Sequence, residues 1–236
     1  MVIENKNTRL LVIPARGNSK RIKNKNIKFF FNKPIIYYIL ETAIKSKLFS
    51  KIHVSTESTK IVKVVEKKIP VDFYRPKILS TSKVPLVKVL RFVLKKYEEL
   101  GSKFDEIWCI LPCSPLIDVR DLKNISKKLF KIKKPLITVC RFPCPIEWAM
   151  KVKKSKLVPL SKKKLLMNSQ CFSHKYYDTG QISASLVKDF KKIKKNEIMS
   201  SFHAYFMPPE KSVDIDYKED WNFAKILYKG LKYIDK

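Results

Sequence analysis

Residues 9–28, RLLVIPARGNSKRIKNKNIK, join a short apolar run to a loop in which six basic residues surround one glycine and a serine. The run at 9–13 is almost continuously apolar, which is typical of a strand covered on both faces. In an open α/β sheet, ligands bind beyond the carboxyl ends of the strands, where backbone N–H groups and cations can face an anion. We therefore predict a strand followed by a phosphate-binding loop. A solvated basic turn is the alternative, because the loop lacks both common glycine-rich phosphate motifs.

The rest of the chain continues the alternation of strands and helices. Three more apolar runs of strand length are KIHVS at 51–55, EIWCIL at 106–111 and LITVC at 136–140. Segments of helical period lie between them, PIIYYILETAIKSK at 34–47 and PLVKVLRFVLKKYEELG at 85–101. We expect Pro34 to be the first helical residue of the former. This order predicts an α/β fold with a mostly parallel sheet, right-handed crossovers and helices on both faces.

The second half of the chain interrupts this pattern once. Residues 141–172 are rich in Pro, Lys and Cys and predict an arm away from the main sheet, within a single domain of residues 1–236. Strands are predicted again in YYDTGQISAS at 176–185 and AYFMP at 204–208, followed by a terminal helix. Two helices carry apolar stripes, which consist of Leu86, Leu90, Val93, Tyr97 and Leu100 before a Gly101 cap, and of Trp221, Ala224, Leu227, Leu231 and Ile234.

The charge of the chain invites a nucleic-acid-binding hypothesis. The formal net charge is +30, and clustered cations gain affinity for phosphates by releasing counterions. However, only 7 of the 51 basic residues are Arg, the side chain best suited to bidentate contacts with bases and phosphates. The lysines are also spread over nearly every segment. We therefore expect no specific nucleic-acid partner.

Composition also bounds the location of the protein. A hydrophobic fraction of 45% excludes wholesale disorder, and every apolar run is much shorter than the roughly 20 residues that span a bilayer. The N-terminus has no pattern of a secretory signal peptide. We expect a cytoplasmic protein without a membrane partner.

The chain has five cysteines, and their role has two interpretations. The cysteines are Cys109, Cys113, Cys140, Cys144 and Cys171. Zinc binding together with His174 is conceivable, but the usual C-x-x-C spacing is missing. Buried structural thiols are the favoured interpretation.

Asp214 and Asp216 are the best candidates for a metal site. They alternate along an extended stretch and so face the same side. Two carboxylates on one side suit Mg²⁺, which completes its coordination shell with water and substrate phosphates. Asp216 could instead cap the terminal helix in a capping box with Glu219. Asp214 has no such structural explanation.

Four motifs resemble one known family. The start, IPARGNSKRIKNKN at 13–26, resembles the I-P-A-R-x-x-S-K-x-x-x-x-K-N opening of the CMP-sialic acid synthetases, cytidylyltransferases that activate nine-carbon keto sugar acids. RPKILS at 75–80, LPCSPLID at 111–118 and VDIDYKEDW at 213–221 are similar to later motifs of that family, in the same order and at similar spacing. The resemblance thus extends over nearly the whole chain.

The resemblance implies a Rossmann-like fold, usually a homodimer in which the arm at 141–172 packs on the partner, and Mg²⁺-dependent transfer from CTP to a nonulosonic acid with release of pyrophosphate. It implies catalytic roles for Arg16, Lys25, Asp214 and Asp216, the last two as Mg²⁺ ligands. The nucleotide-binding residues would be Ala15, Arg16, Gly17, Asn18, Ser19, Lys20, Arg21, Lys25, Asn26, Arg75 and Ser80. The sugar-binding residues would be Ser114, Asp178 and Gln181.

The branch and the departures are also informative. YYDTGQ at 176–181 is more similar to the pseudaminic acid branch than to the sialic acid branch, and Leu111 replaces a Gln that is typical of sialic enzymes. N-acylneuraminate, legionaminate and Kdo remain alternative substrates, and Asp178 with Gly180 could simply shape a turn. Glu57 stands where the family commonly has Asp, and STSK at 80–83 lacks the acid usual after the R-P motif.

Overall fold

The computed structural model of the protein describes residues 8–194 and 199–234. Within these ranges the strands are β1 (Arg9–Pro14), β2 (Phe29–Phe30), β3 (Lys33–Pro34), β4 (Lys51–Ser55), β5 (Glu106–Ile110), β6 (Leu136–Arg141), β7 (Met150–Lys153), β8 (Lys156–Pro159), β9 (Tyr176–Leu186) and β10 (His203–Phe206). The α-helices are α1 (Ile35–Ser46), α2 (Thr59–Val65), α3 (Leu86–Glu99), α4 (Val119–Ile132), α5 (Lys162–Leu165), α6 (Val187–Lys192) and α7 (Lys218–Ile234).

Six strands form the central sheet, in the order β10-β6-β9-β5-β1-β4. The pairs β1 with β4, β1 with β5, and β6 with β10 are parallel. Strand β9 runs antiparallel to both of its neighbours, β5 and β6. The mostly parallel sheet expected from the sequence is confirmed, with one reversed strand in its interior.

Strand β1 shows why its sequence is almost continuously apolar. Leu11 and Ile13 pack into a buried cluster with residues of α1, α2 and α4. Leu10 and Val12 point to the opposite face and join a second buried cluster, built by α3 and α6. All four side chains are fully buried, so both faces of the strand are covered, as predicted.

The end of α3 confirms the predicted glycine cap. Gly101 has a φ of +81°, and its N–H donates to the Glu98 carbonyl at 3.0 Å, while the Ser102 N–H donates to the Tyr97 carbonyl at 2.9 Å. This is a Schellman arrangement, which favours glycine because of its positive φ.

The structure differs from the prediction at the ends of both apolar stripes and at the first residue of α1. Leu86 and Leu100 of the α3 stripe are exposed, as is Ile234 of the α7 stripe, whereas the middle residues of the α3 stripe and the first residues of the α7 stripe are buried. Pro34 lies just before α1 and pairs within the small β2–β3 sheet, so it is not the first helical residue. In the described part of the chain, no helix has the length and apolar character that a bilayer span requires.

The segment predicted as an arm contains the hairpin β7–β8, in which Met150 pairs with Pro159 and Lys153 with Lys156. Large apolar side chains of this segment are exposed, including Val152, Leu157 and Leu166. The single-domain assignment with an arm stays a prediction.

The cysteines divide by location. Cys109, Cys113 and Cys140 are buried, and burial raises the pKa of the Cys109 and Cys113 thiols to about 12. Cys144 and Cys171 are exposed on the arm, so the expectation of buried thiols is wrong for these two. Cys144 lies between two prolines and Cys171 between Gln170 and Phe172, on a segment whose large apolar side chains are mostly exposed.

His53 on β4 is a buried histidine in an aromatic pocket. Its ring stacks on Phe73 with centroids 4.3 Å apart and meets the edge of Tyr97. Neither ring nitrogen has a hydrogen-bond partner among the described residues. Burial, and secondarily the charge of Lys51, lowers the pKa of His53 from 6.5 to about 4, against the opposing effect of Asp72. The ring is therefore neutral in the folded protein at pH 7.

This pocket should make the protein sensitive to acid. Between pH 6.5 and 4 the unfolded chain takes up a proton at His53 that the folded protein does not, so the stability present above pH 6.5 is lost as pH falls to 4. The free energy of unfolding lost through His53 over this pH range is about 3 kcal/mol. We expect His53→Leu to reduce, by about this amount, the difference between the free energies of unfolding at pH 7 and pH 4, measured by urea titration. An identical pH difference in both proteins would contradict this expectation.

Candidate active site

A cleft of about 970 Å³ opens beyond the carboxyl ends of β1, β4 and β5. One wall is the basic loop that follows β1, and the opposite wall includes the stretch before α7 that carries Asp214 and Asp216. Of the predicted site residues, those that line the cleft are Arg16, Asn18, Ser19, Lys20, Arg21, Lys25, Asn26, Arg75, Ser80, Ser114, Gln181, Asp214 and Asp216. The fold thus brings together residues that are almost 200 positions apart in the chain.

Three predicted site residues do not line this cleft. Ala15 is fully buried in the core, and its N–H donates to the Ser55 carbonyl, which fixes the loop to the end of β4. Gly17 and Asp178 also lie outside the lining. Their structural roles are described below.

Asn26 organises the basic loop from its far end. The side chain is buried, and its amide donates to the Arg16 carbonyl at 2.9 Å while its oxygen accepts a contact from the Cys113 thiol at 3.4 Å. Asn24 adopts a left-handed conformation just before it. The two ends of the loop are therefore tied together, and of the basic residues between them Lys20, Arg21 and Lys25 line the cleft.

Gly17 is required by a close approach to the chain after β4. A β-carbon at this position would lie 2.7 Å from the Ser58 β-carbon, closer than such atoms come in proteins. The Gly17 N–H donates to Oε1 of Glu57 at 2.8 Å. This N–H therefore faces a carboxylate, and the glycine brings the loop against Glu57.

Glu57 is the main functional candidate that the sequence analysis did not assign. Its second oxygen accepts a hydrogen bond from Arg75 Nη2 at 3.1 Å. Burial disfavours its charged form, but the hydrogen bonds from the Gly17 N–H and the Arg75 guanidinium lower its pKa below the ordinary value. The only sequence clue was the exchange of the family's common Asp for the longer Glu.

Arg75 is buried to 95% and lines the cleft. Its backbone N–H donates to the Thr56 carbonyl at 2.8 Å, and its Nε has no partner among the described residues. Burial lowers the pKa of the guanidinium, and Glu57 opposes this shift. The arginine still carries its charge at neutral pH, because an ordinary Arg pKa is above 12.

Asp216 lies between two cations of the basic loop. Lys25 Nζ is 3.1 Å from its Oδ1 and also donates to the Ile215 carbonyl at 2.6 Å, and Arg21 Nη2 is 2.7 Å from its Oδ2. Arg21 also lies over the Tyr217 ring. These contacts join the two walls of the cleft.

Asp214 is different from its neighbour, because no described residue hydrogen-bonds to it or forms an ion pair with it. Its pKa is raised, first by the removal of water at the cleft wall and then by the charge of Asp216. Lys25 acts in the opposite direction. Two carboxylates thus face one cleft, and only that of Asp216 is neutralised by ion pairs among the described residues.

The capping role considered for Asp216 falls to another residue. Asp220 Oδ2 accepts the backbone N–H groups of Asp216 and Tyr217, at 2.9 and 2.7 Å. The expected partner Glu219 makes no such contact. Asp216 therefore has its side chain free of the α7 cap and directed to Arg21 and Lys25.

Gln181 lines the cleft beside the carboxyl end of β5, where its carbonyl accepts the Leu111 N–H at 2.9 Å. Gln181 is buried there, and its amide nitrogen donates to the Lys211 carbonyl at 2.7 Å, while its amide oxygen has no partner among the described residues. Leu111 and Ser114 line the same region. A polar ligand group could satisfy the Gln181 oxygen.

Asp178 shapes the turn before this region. Its Oδ1 accepts the Gly180 N–H at 2.8 Å, and Gly180 has a φ of +66°. Side-chain carboxylates commonly stabilise turns in this way. The turn contact that the sequence left open for Asp178 is therefore present, and its contact with the sugar stays a prediction.

Comparisons with known proteins agree with this geometry. The model of a family described as cytidylyltransferase matches residues 10–233. The chain is 31% identical over 226 residues to a pseudaminic acid cytidylyltransferase of Campylobacter jejuni strain 81-176, covering 93% of this chain and 96% of that protein. It is 25% identical over 223 residues to an N-acylneuraminate cytidylyltransferase of Escherichia coli O18:K1:H7, covering 91% of this chain and 51% of that protein.

Solved structures show the same fold. A CMP:2-keto-3-deoxy-manno-octonic acid synthetase complexed with CTP superposes with a TM-score of 0.67 at 14% identity, covering 94% of this chain and 99% of that chain. A 4-diphosphocytidyl-2C-methyl-D-erythritol synthase of Anaerococcus prevotii has a TM-score of 0.59 at 12% identity, covering 95% and 100%. The Rossmann-like α/β class predicted from the sequence is confirmed.

Proposed function

The chain belongs to the cytidylyltransferase family, and we propose that it joins CTP to a nine-carbon keto sugar acid, most specifically pseudaminic acid, to give the CMP-sugar and pyrophosphate. The observation that carries the proposal is the meeting of the basic loop with the acidic stretch before α7 in one cleft. Lys25 Nζ lies 3.1 Å from Asp216 across it. Cations for a triphosphate and carboxylates for a divalent ion are thus within reach of one bound nucleotide.

The chemistry fits the residues of this cleft. The anomeric hydroxyl of the sugar acid attacks the α-phosphorus of CTP, and pyrophosphate leaves. Such phosphoryl transfers are accelerated by alignment of the reactants and by neutralisation of charge on the phosphate oxygens. In this proposal Arg16, Lys20, Arg21 and Lys25 bind the triphosphate, and Asn26 keeps their loop in shape. Ser19 contributes a hydroxyl, and Arg75 and Ser80 lie towards the cytidine.

Asp214 and Asp216 are proposed to hold Mg²⁺. Burial raises the pKa of Asp214 and the charge of Asp216 raises it further, and a divalent ion bound between the two carboxylates would oppose both effects. The rest of the shell would come from water and phosphate oxygens, since Mg²⁺ often takes only one or two carboxylates. When bound, the ion neutralises charge that develops on the phosphates.

The sugar acid is proposed to bind in the cleft near Ser114 and Gln181. The buried Gln181 oxygen without a partner supports this assignment, because a buried acceptor gains when a hydroxyl or amide of a ligand reaches it. The Campylobacter relative, which covers nearly the full chain, favours pseudaminic acid. N-acylneuraminate and diacetyllegionaminate are the alternatives, since enzymes named for them are also similar to this chain.

A homodimer and a cytoplasmic location belong to the same proposal. The exposed apolar side chains of the hairpin segment, such as Val152 and Leu157, support a contact between two copies through the arm. CTP and Mg²⁺ are available in the cytoplasm, which supports the location.

The test is pyrophosphate release with CTP and Mg²⁺, offering pseudaminic, legionaminic and N-acetylneuraminic acids and Kdo in parallel. We expect release with pseudaminic acid and much slower release with the other three. Release with only one of the other acids would make that acid the substrate in place of pseudaminic acid. Absence of release with all four, together with tight and steeply salt-dependent binding of duplex DNA, would overturn the enzyme assignment in favour of a nucleic-acid-binding protein.

A further inference from the structure

We propose that Glu57 is a positioning residue for CTP, which fixes Arg75 and the basic loop relative to each other before the nucleotide binds. This inference rests on the proposed function and adds to it a residue that makes no contact with the reacting atoms. Glu57 accepts from the Gly17 N–H at 2.8 Å with one oxygen and from Arg75 Nη2 at 3.1 Å with the other. One carboxylate therefore spans two separate parts of the site.

The charge of Glu57 needs an explanation, because a carboxylate in a cleft for a triphosphate repels the ligand. At a few ångströms, two like charges near a protein surface repel by several kcal/mol. Its side chain is only 15% exposed, and its pKa is lowered although burial favours the neutral form. The pKa of the carboxylate is lowered first by the Gly17 N–H and its own backbone N–H, and then by Arg75 and Ser80, so its negative charge is compensated within the site.

Arg75 has few other restraints at its head group. The backbone is held by the Thr56 carbonyl, but Nε has no partner in the described chain, and Glu57 supplies the hydrogen bond that orients the guanidinium. The nearby positive charge of Arg16 also repels Arg75, since it lowers the Arg75 pKa. Without the Glu57 carboxylate, the repulsion between Arg16 and Arg75 would no longer be offset by a negative charge beside Arg75.

The loop depends on the same contact from the other side. Gly17 lies so close to the chain after β4 that a β-carbon would be 2.7 Å from that of Ser58, and the Gly17 N–H would lose its charged acceptor if Glu57 were changed. Gln at position 57 retains the length but has one acceptor oxygen, and its NH₂ group would face the N–H of Gly17 or the guanidinium. One of the two links must then be lost.

The experiment measures CTP binding by calorimetry and steady-state kinetics for Glu57→Gln, Arg75→Ala and the double variant. We expect Glu57→Gln to raise the Kd and the KM for CTP by roughly 10- to 100-fold, the size expected when a group in a site is misplaced. The kcat and the KM for the sugar acid should change less than threefold. In the Arg75→Ala background, Glu57→Gln should have little further effect, because the two residues act as one unit.

The matched control is Glu66→Gln, an identical change at an exposed glutamate at the far end of the adjacent helix α2. It should leave CTP binding unchanged. If Glu57→Gln does not fold, Arg75→Lys tests the same contact, because Lys keeps the charge but lacks the forked donors.

Each outcome has a distinct meaning. Unchanged CTP affinity in Glu57→Gln or, in its place, Arg75→Lys, with normal binding by the wild type, overturns the role of Glu57 alone. Additive effects in the double variant overturn the link through Arg75. A wild-type protein that does not bind CTP overturns the proposed function together with this inference.

Discussion

Replacing Asp214 by Asn should lower kcat/KM by roughly a thousandfold while the protein remains folded, because removal of a metal ligand forfeits several kcal/mol of charge stabilisation. Asp214 faces the cleft and, among the described residues, has no hydrogen-bond or ion-pair partner that its loss would leave unsatisfied. Its neighbour Asp216 is held by Lys25 and Arg21. Asp214 is thus the carboxylate that is free to take a cation before any contact in the cleft is broken.

The measurement compares pyrophosphate release at saturating Mg²⁺ with the binding of Mn²⁺, used as a probe, in the presence of CTP. Asp189→Asn, the same change on α6 and outside the cleft lining, serves as the control and should behave as the wild type. Activity of Asp214→Asn within tenfold of the wild type, with unchanged Mn²⁺ binding, would contradict the metal assignment.

The layered fold could be predicted because burial on both faces leaves a direct trace in the sequence. The runs that became β1, β5 and β6 each contain a single polar residue, and the predicted bounds of these strands and of β4 agree with the structure to within about a residue. The direction of a strand leaves no such trace. Nothing in the sequence of β9 indicates its direction, and its reversal became visible only through its antiparallel pairing with β5 and β6.

The candidate site was predictable where residue type and chain position together limit the role. The cations after β1 and the pair Asp214 and Asp216 were proposed from their positions. Four of these cations line the same cleft as the two carboxylates, namely Arg16, Lys20, Arg21 and Lys25. Side-chain direction was not predictable. Asp178 accepts the Gly180 N–H, and Glu57 accepts from the Gly17 N–H and Arg75. These contacts depend on the folded positions of the donors.

Lys25→Met should reduce kcat/KM for CTP by roughly 100- to 1,000-fold, the loss typical when one preorganised charged donor is removed from a reacting phosphate. Lys25 is largely buried, with 19% of its side chain exposed, and its ammonium is 2.6 Å from the Ile215 carbonyl and 3.1 Å from Asp216. It therefore holds the acidic wall of the cleft, and in the proposed function it also binds the triphosphate. A Met side chain fills similar space but provides neither contact.

Lys23→Met is the matched control, since Lys23 lies in the same loop, is exposed and does not line the cleft. Both substitutions remove one positive charge from a chain with 51 basic residues, so they affect general attraction of anions equally. We expect Lys23→Met to retain activity within threefold at moderate salt, measured by pyrophosphate release. Equal losses in the two variants would mean that the loop acts through its overall charge. A loss confined to Lys25→Met would show that Lys25 acts through its specific place in the cleft and not through the overall charge of the loop.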